Sequence, residues 1–181
     1  MFARTKRLTL RPGWPEDAPA LTRAIAHESV ATMLAHAPWP YDLTDAETFL
    51  SLPRGANEPC FLIEAMDGDA PRLVGGIALI RDGDTHELGY WLTPDAWGRG
   101  YATEAGRAVL DAARHALGLR KVTATPAIDN PASARVLRKL GFREVGRAAR
   151  HNVARGHDMA CILLECALDD DDDRPAMPIA A

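Results

Sequence analysis

The chain has little in it that declares a function at a glance. None of its 181 residues belongs to an apolar run near the length of about 18 needed to cross a bilayer. The opening MFARTKRLTLRP lacks the apolar core of a secretory leader. Both absences predict a cytoplasmic protein with no membrane partner. Cysteine is scarce: Cys60, Cys161 and Cys166 are an odd set without metal-ligand spacing. That excludes a disulfide framework and predicts no bound metal. None sits in a loop flanked by basic residues, as a thiolate nucleophile requires. Net charge is lacking too, once the C-terminal stretch is set aside. Of 21 basic and 25 acidic residues, one and five lie in residues 169–181, leaving 20 of each in residues 1–168. A balanced body offers no field to attract nucleic acid. The acidic, proline-bearing stretch DDDDDRPAMPIAA predicts a disordered, solubilising tail on one domain spanning residues 1–168. Nucleotide motifs are missing as well. There is no G-K-[ST] of a phosphate-binding P-loop, and GRGYAT lacks the third glycine of a dinucleotide fingerprint.

What is present is a clear alternation of strand and helix patterns. RLTLRP alternates as a strand with Leu8 and Leu10 on one face, and WPEDAPALTRAIAH follows as a helix with Pro15, Glu16 and Asp17 in its first turn. After the aromatic loop APWPYDL, Thr44 and Glu47 predict a capping box for a second short helix. CFLIEAM, RLVGGIALI and HELGYWL predict three neighbouring antiparallel strands. A long helix over residues 99–117 carries an apolar stripe at Ala102, Ala105, Val109, Ala113 and Leu117, with Gly118 as its stop. LRKVTATPAI is another strand. NPASARVLRKLGF is a helix capped by Asn130, begun by Pro131 and stopped at Gly141. FREVGRA and HDMACILLECAL close the chain as strands. The order βααβββαβαββ predicts an α/β fold with a mixed, largely antiparallel sheet flanked by helices.

The informative stretch is YWLTPDAWGRGYATEAGRAVLDAAR, where a strand hands over to the long helix through Gly98 and Gly100. A helix N-terminus presents unpaired N–H groups and partial positive charge. Glycines there let an anion approach the main chain without Cβ atoms in the way. A plain strand-to-helix turn would use the same residues, and the stretch alone does not separate the two. The segment from Trp97 to Ala102, W-G-R-G-Y-A, resembles the pyrophosphate loop of the GNAT superfamily of acetyl-CoA-dependent N-acetyltransferases, Gln/Arg-x-x-Gly-x-Gly/Ala. Trp97 is taken as the departure at its first position. NPASARVLRKLGF resembles the family's later N-x-x-S…K-x-G-F segment, and RLTLRP, WPY and ELGYWL are similar to the RimJ/RimL-type branch, which includes acetyltransferases of ribosomal-protein N-termini. The resemblance covers nearly all of residues 5–168.

That resemblance implies splayed central strands with the pantetheine arm of acetyl-CoA between them, and an oxyanion donor at a backbone N–H near Leu92. Pro126 fits the splay, because it cannot donate a ladder bond. The expected cofactor contacts are Trp91, Leu92, Trp97, Gly98, Arg99, Gly100, Tyr101, Ala102, Thr103, Asn130, Ser133 and Arg138. Many members protonate the leaving thiolate with a tyrosine where this chain has Leu137, so Ser133 is the expected replacement. Its alternative is a helix serine bonded to local backbone. Glu87, on the same strand face as Gly89 and Trp91, is the candidate base and a substrate contact. An ion-paired glutamate is the competing reading. Trp39 and Tyr41 are candidate walls of the acceptor pocket, or simply packing residues. The implied function is acetyl transfer to a primary amine, on a small molecule or a peptide N-terminus. The rival readings are a non-catalytic acyl-CoA-binding domain and an enzyme for an amino acid, polyamine or antibiotic. Monomer and homodimer both remain open.

Overall fold

The computed structural model describes residues 2–55, 57–66, 68 and 70–168. The expected acidic tail lies outside the described residues. Among the described residues, eight strands form one sheet in the order β1-β2-β3-β4-β5-β6-β8-β7. They are β1 (Ala3–Arg4), β2 (Leu8–Arg11), β3 (Cys60–Ala65), β4 (Arg72–Asp82), β5 (Thr85–Leu92), β6 (Lys121–Ala124), β7 (Arg143–Asn152) and β8 (His157–Ala167). Every neighbouring pair is antiparallel except β5 with β6. The helices are α1 (Ala18–Ile25), α2 (Glu28–Ala31), α3 (Leu43–Ser51), α4 (Tyr101–His115) and α5 (Pro131–Lys139). The mixed, largely antiparallel sheet is therefore as expected; β1 and α2 are additions, both too short to leave a periodic trace.

Both sheet faces are covered, and strand alternation sorts the side chains between them. Phe61 and Ile63 join Leu8, Leu10, Ile77, Leu79 and Val109 under α4, whereas Leu62 joins Leu21, Ile25, Val30 and Ala46 under α1 to α3. Each such fully buried aliphatic side chain contributes about 1.5–3 kcal/mol. The small stripe of α4 at Ala102, Ala105, Val109 and Ala113 is buried as expected, and Leu117 packs half-buried at its edge. α4 and α5 approach so closely that a Cβ on Gly106 would lie 2.5 Å from Leu140 Cδ1.

Helix ends obey local chemistry, with two corrections. Asn130 caps α5 by accepting from the Ser133 N–H at 3.1 Å, and Gly141, at φ 92°, stops it. The capping box of α3 is Asp42 with Asp45, not Thr44 with Glu47: Asp42 accepts from the Asp45 N–H at 3.1 Å, and Asp45 from the Asp42 N–H at 2.9 Å. The first helix is also split. Pro15–Asp17 forms a 3-10 turn before α1, because Asp17 is drawn to Arg11 by two bonds of 2.7 and 2.8 Å.

The feature that positions the site is the parting of β5 and β6. The two strands meet at one register pair, Glu87 with Thr123. Beyond it β6 turns to β8: Pro126 accepts from the Ile162 N–H at 3.0 Å, and Ala127 bridges Cys161. Proline stands where the β5 side no longer asks for a donor.

Candidate functional site

The strand-to-helix loop is built around two left-handed glycines. Gly98 has φ 75° and Gly100 φ 81°, a conformation other residues adopt only at a cost. Gly100 is the N-cap of α4 and brings no side chain to the first-turn amides, so these remain available to an anion. A Cβ on Gly98 would meet nothing within 4 Å. Tyr101 and Ala102 turn their side chains into the core, so only their main chain can face a ligand. Thr103 and Gly100 line an open cavity of about 590 Å³ whose other walls include Lys6, Arg7, Arg107 and Lys139. The cation that sequence reasoning chose on α5 was Arg138; the wall residue is its neighbour Lys139.

The β1–β2 turn latches this loop. Glu104 accepts from Thr5 Oγ1 at 2.6 Å, from the Arg7 amide at 2.9 Å and from Arg7 Nε at 2.8 Å. Arg7 Nη1 in turn donates to the Arg99 carbonyl at 2.9 Å, and its guanidinium lies 4.9 Å from the centre of the Tyr101 ring. Burial works to raise the Glu104 carboxyl, but Thr5 and Arg7 outweigh it and hold the group below its ordinary range. Sequence reasoning missed Arg7; its pairing lies 97 positions along the chain.

Ladder geometry decides which amides face the gap between β5 and β6. The Thr93 N–H donates to the Val74 carbonyl at 2.8 Å, and Gly75 registers with Leu92. In an antiparallel pair alternate residues exchange bonds with the partner. Residues 89, 91 and 93 therefore face β4, while the main chains of Leu88, Tyr90 and Leu92 point away from it. Thr123 Oγ1 donating to the His86 carbonyl at 3.3 Å agrees with that phase. The N–H groups of Tyr90 and Leu92 thus open into the gap. Trp91 does not fit its expected cofactor contact. Its main chain serves β4, and its indole packs so tightly over Gly76 that a Cβ there would lie 2.7 Å from Trp91 Nε1. Trp97, which stands at the first position of the family pattern, donates its indole N–H to the Leu92 carbonyl at 2.9 Å and ties the loop to the end of β5. Asp95, two residues earlier, pairs with Arg72 at 2.6 Å. Across the gap, Ser133 Oγ lies 2.8 Å from the Tyr90 hydroxyl, and Leu137 is buried in the core.

On the other face, Glu87 has partners. Its carboxylate accepts from the Thr125 hydroxyl and from Arg150 Nη2 at 3.2 Å, and Arg150 also binds Asp82 at 2.8 Å. The β7–β8 hairpin carrying Arg150 is docked at its tip. Buried Asn152 donates to the Thr32 and Leu34 carbonyls at 3.1 and 2.9 Å, and Val153 N–H bonds Ala35. His151 of the same hairpin is exposed and pairs with Asp158 at 3.1 Å. Trp39 is partly exposed, whereas Tyr41 is buried with Leu21, Ile25 and Leu62, and burial pushes its phenol up to about 12. Tyr41 therefore packs the helices onto the sheet.

These parts fit a coenzyme A thioester: uncapped helix amides and a basic cavity for phosphates, and a gap with free strand amides for an amide-bearing arm. Comparison with known proteins agrees. A family model described as Acetyltransferase (GNAT) domain matches residues 7–143. The Uncharacterized N-acetyltransferase YnaD of Bacillus subtilis (strain 168) is 28% identical over 148 residues, 81% of this chain and 85% of that protein. A GNAT-family acetyltransferase from Bacillus anthracis superposes with a TM-score of 0.79 at 23% identity, covering 93% of this chain and 99% of that one. A spermidine N-acetyltransferase from Vibrio cholerae, solved with CoA and spermine, superposes with a TM-score of 0.73 at 19% identity, covering 91% and 97%. The chain belongs to the GNAT acetyltransferase family and is an acetyl-CoA-dependent N-acetyltransferase.

Proposed function

We propose that the chain acetylates the α-amine at a peptide or protein N-terminus, in the manner of the RimJ/RimL-type branch. The observation that carries this is the state of Glu87. A carboxylate already engaged by Thr125 and Arg150 has few lone pairs left with which to strip a proton from a strongly basic amine. An N-terminal amine, with a reference pKa near 8, sheds its own proton near neutral pH, whereas a lysine near 10.4 does not. Glu87, with Asp82 beside it, supplies negative charge that draws the ammonium in, and a water at Glu87 carries the released proton outward.

In this reading the first-turn amides of residues 101–103, with Gly98 and Gly100, hold the diphosphate. Lys6, Arg107 and Lys139 supply positive charge around it, and Asn130 borders the pantetheine arm. The N–H of Leu92, aimed into the gap, receives the developing oxyanion. Ser133 donates to the departing sulfur, and exposed Trp39 forms one wall for the acceptor, opposite the docked hairpin.

The test presents acetyl-CoA with free-N-terminal peptides, N-blocked lysine peptides and spermidine, and follows thiol release and product mass. Release that depends on the free peptide N-terminus supports the reading. Release only with spermidine or lysine overturns the acceptor, and tight CoA binding without amine-dependent release makes the chain a non-catalytic binder.

A further inference from the structure

Tyr90 is the polar group within the β5–β6 gap for which neither the sheet nor the anion loop gives a use. A strand position packed against the core is served equally well by phenylalanine, and a buried hydroxyl costs stability unless it is bonded. Its partner is 43 positions away: the Tyr90 hydroxyl lies 2.8 Å from Ser133 Oγ and 3.3 Å from the Ser133 carbonyl. A serine in the first turn of a helix ordinarily turns its hydroxyl to nearby main chain. Here Asn130 already takes the Ser133 N–H, and the phenol holds the side chain across the gap.

We propose that Tyr90 is a positioning residue for the departing thiolate, its hydroxyl fixing that of Ser133 so that the pair meets the sulfur as a preset donor. This rests on the acetyl-transfer reading above. With Tyr90 donating to Ser133 Oγ, the Ser133 proton is free to point into the gap, where the N–H groups of Tyr90 and Leu92 also point. Burial pushes the Tyr90 phenol up to about 12, against a smaller opposing pull from Ser133, so it keeps its proton throughout the working range. The step balances without ionising either hydroxyl. The amine nitrogen bonds to the carbonyl carbon, the carbon–sulfur bond breaks with its electron pair on sulfur, and the thiolate is held by the Ser133 O–H. The proton that finally reaches sulfur is the one the nitrogen loses as the amide forms, relayed through water, whereas the proton shed beforehand by the ammonium is the one carried outward at Glu87.

Bound CoA tests this without any acceptor, through the ultraviolet absorbance of its thiolate across pH. Donors aimed at sulfur favour the charged form, so the bound thiol ionises at lower pH than free CoA. Tyr90→Phe leaves roughly tenfold less thiolate at a given pH in that range, its titration midpoint lying about one pH unit higher than in the wild type. Ser133→Ala does the same, and the double variant loses no more than either alone, as coupled residues require. Affinity of Tyr90→Phe for acetyl-CoA, which carries no thiolate, stays within about twofold, and so separates positioning from general damage to the fold. An unchanged thiolate fraction in Tyr90→Phe, or losses that simply add, overturns the proposal. Wild-type protein that takes up no CoA overturns the reading beneath it, a separate readout.

Discussion

Gly100→Ala separates backbone strain from ligand approach. Gly100 sits at φ 81°, and an added Cβ would lie 3.6 Å from Arg7 Nη2, an ordinary contact. The folded protein therefore suffers little clash, and the cost is the left-handed conformation, about 1–2 kcal/mol. For a chain of this size that lowers Tm by roughly 2–8 °C. The same methyl stands before amides that a phosphate oxygen must approach to about 2.9 Å. Affinity for CoA should fall at least tenfold, about 1.4 kcal/mol beyond the stability change. Gly83→Ala is the matched control. Gly83, in the β4–β5 turn, has φ 60°, and a methyl added there would meet nothing within 4 Å, so it carries similar strain far from the loop. Calorimetric titration of CoA into both variants, with thermal melts alongside, decides the matter. Equal affinity in Gly100→Ala and Gly83→Ala would refute an anion site at the start of α4, whatever the melts show.

Asn152→Ala leaves the Leu34 carbonyl and the Arg155 N–H without their partner and the Thr32 carbonyl with only Arg155 Nε, at a cost of about 3 kcal/mol. Because the hairpin it docks borders Glu87, KM for the peptide acceptor should rise while KM for acetyl-CoA hardly moves; equal changes in both would show that the hairpin does not shape the acceptor side. Of the carboxyls held low in the folded protein, Asp17 and Glu104 are the more buried and weigh most on the acid limit of stability. Asp17 is held below its ordinary range by Arg11, and Glu104 by Thr5 and Arg7 against its burial. Stability from a depressed carboxyl is complete above the unfolded pKa near 4 and is lost as pH falls through the folded value. Melts should therefore be flat from pH 7 to about 5 and fall below about 4, with a shallower fall in Asp17→Asn and Glu104→Gln; identical slopes would remove these groups from the acid transition.

The parts that local chemistry determines were legible in the residues: the Asn130 cap, the Pro131 start, the Gly141 stop, the stripe of α4 and the glycine pair. Where the reading slipped, two local patterns competed or a distant partner intervened. Asp42-x-x-Asp45 and Thr44-x-x-Glu47 are both capping sequences, and nothing local tells which one the chain takes. Asp17 suits a helix start, yet Arg11 of β2 holds it and the turn tightens to a 3-10 form. Arg138 and Lys139 stand about 100° apart on α5, and only the position of the β1–β2 turn decides which one lines the cavity.

The same division runs through the candidate site. The anion loop depends on consecutive residues, and so it announces itself in a string. The acid–base side is assembled from pairs 38 to 63 positions apart, Glu87 with Thr125 and Arg150, and Tyr90 with Ser133. Strand alternation placed Glu87 on its face correctly, but alternation says nothing about what another strand brings to that face. For Tyr90 the signal was weaker still, since an aromatic on a core-facing strand position is ordinary packing until its hydroxyl is seen to have a partner. The loss of a hydroxyl at Leu137 is visible in the sequence; the hydroxyl supplied beside Ser133 becomes visible only when β5 and α5 are laid across the gap from one another.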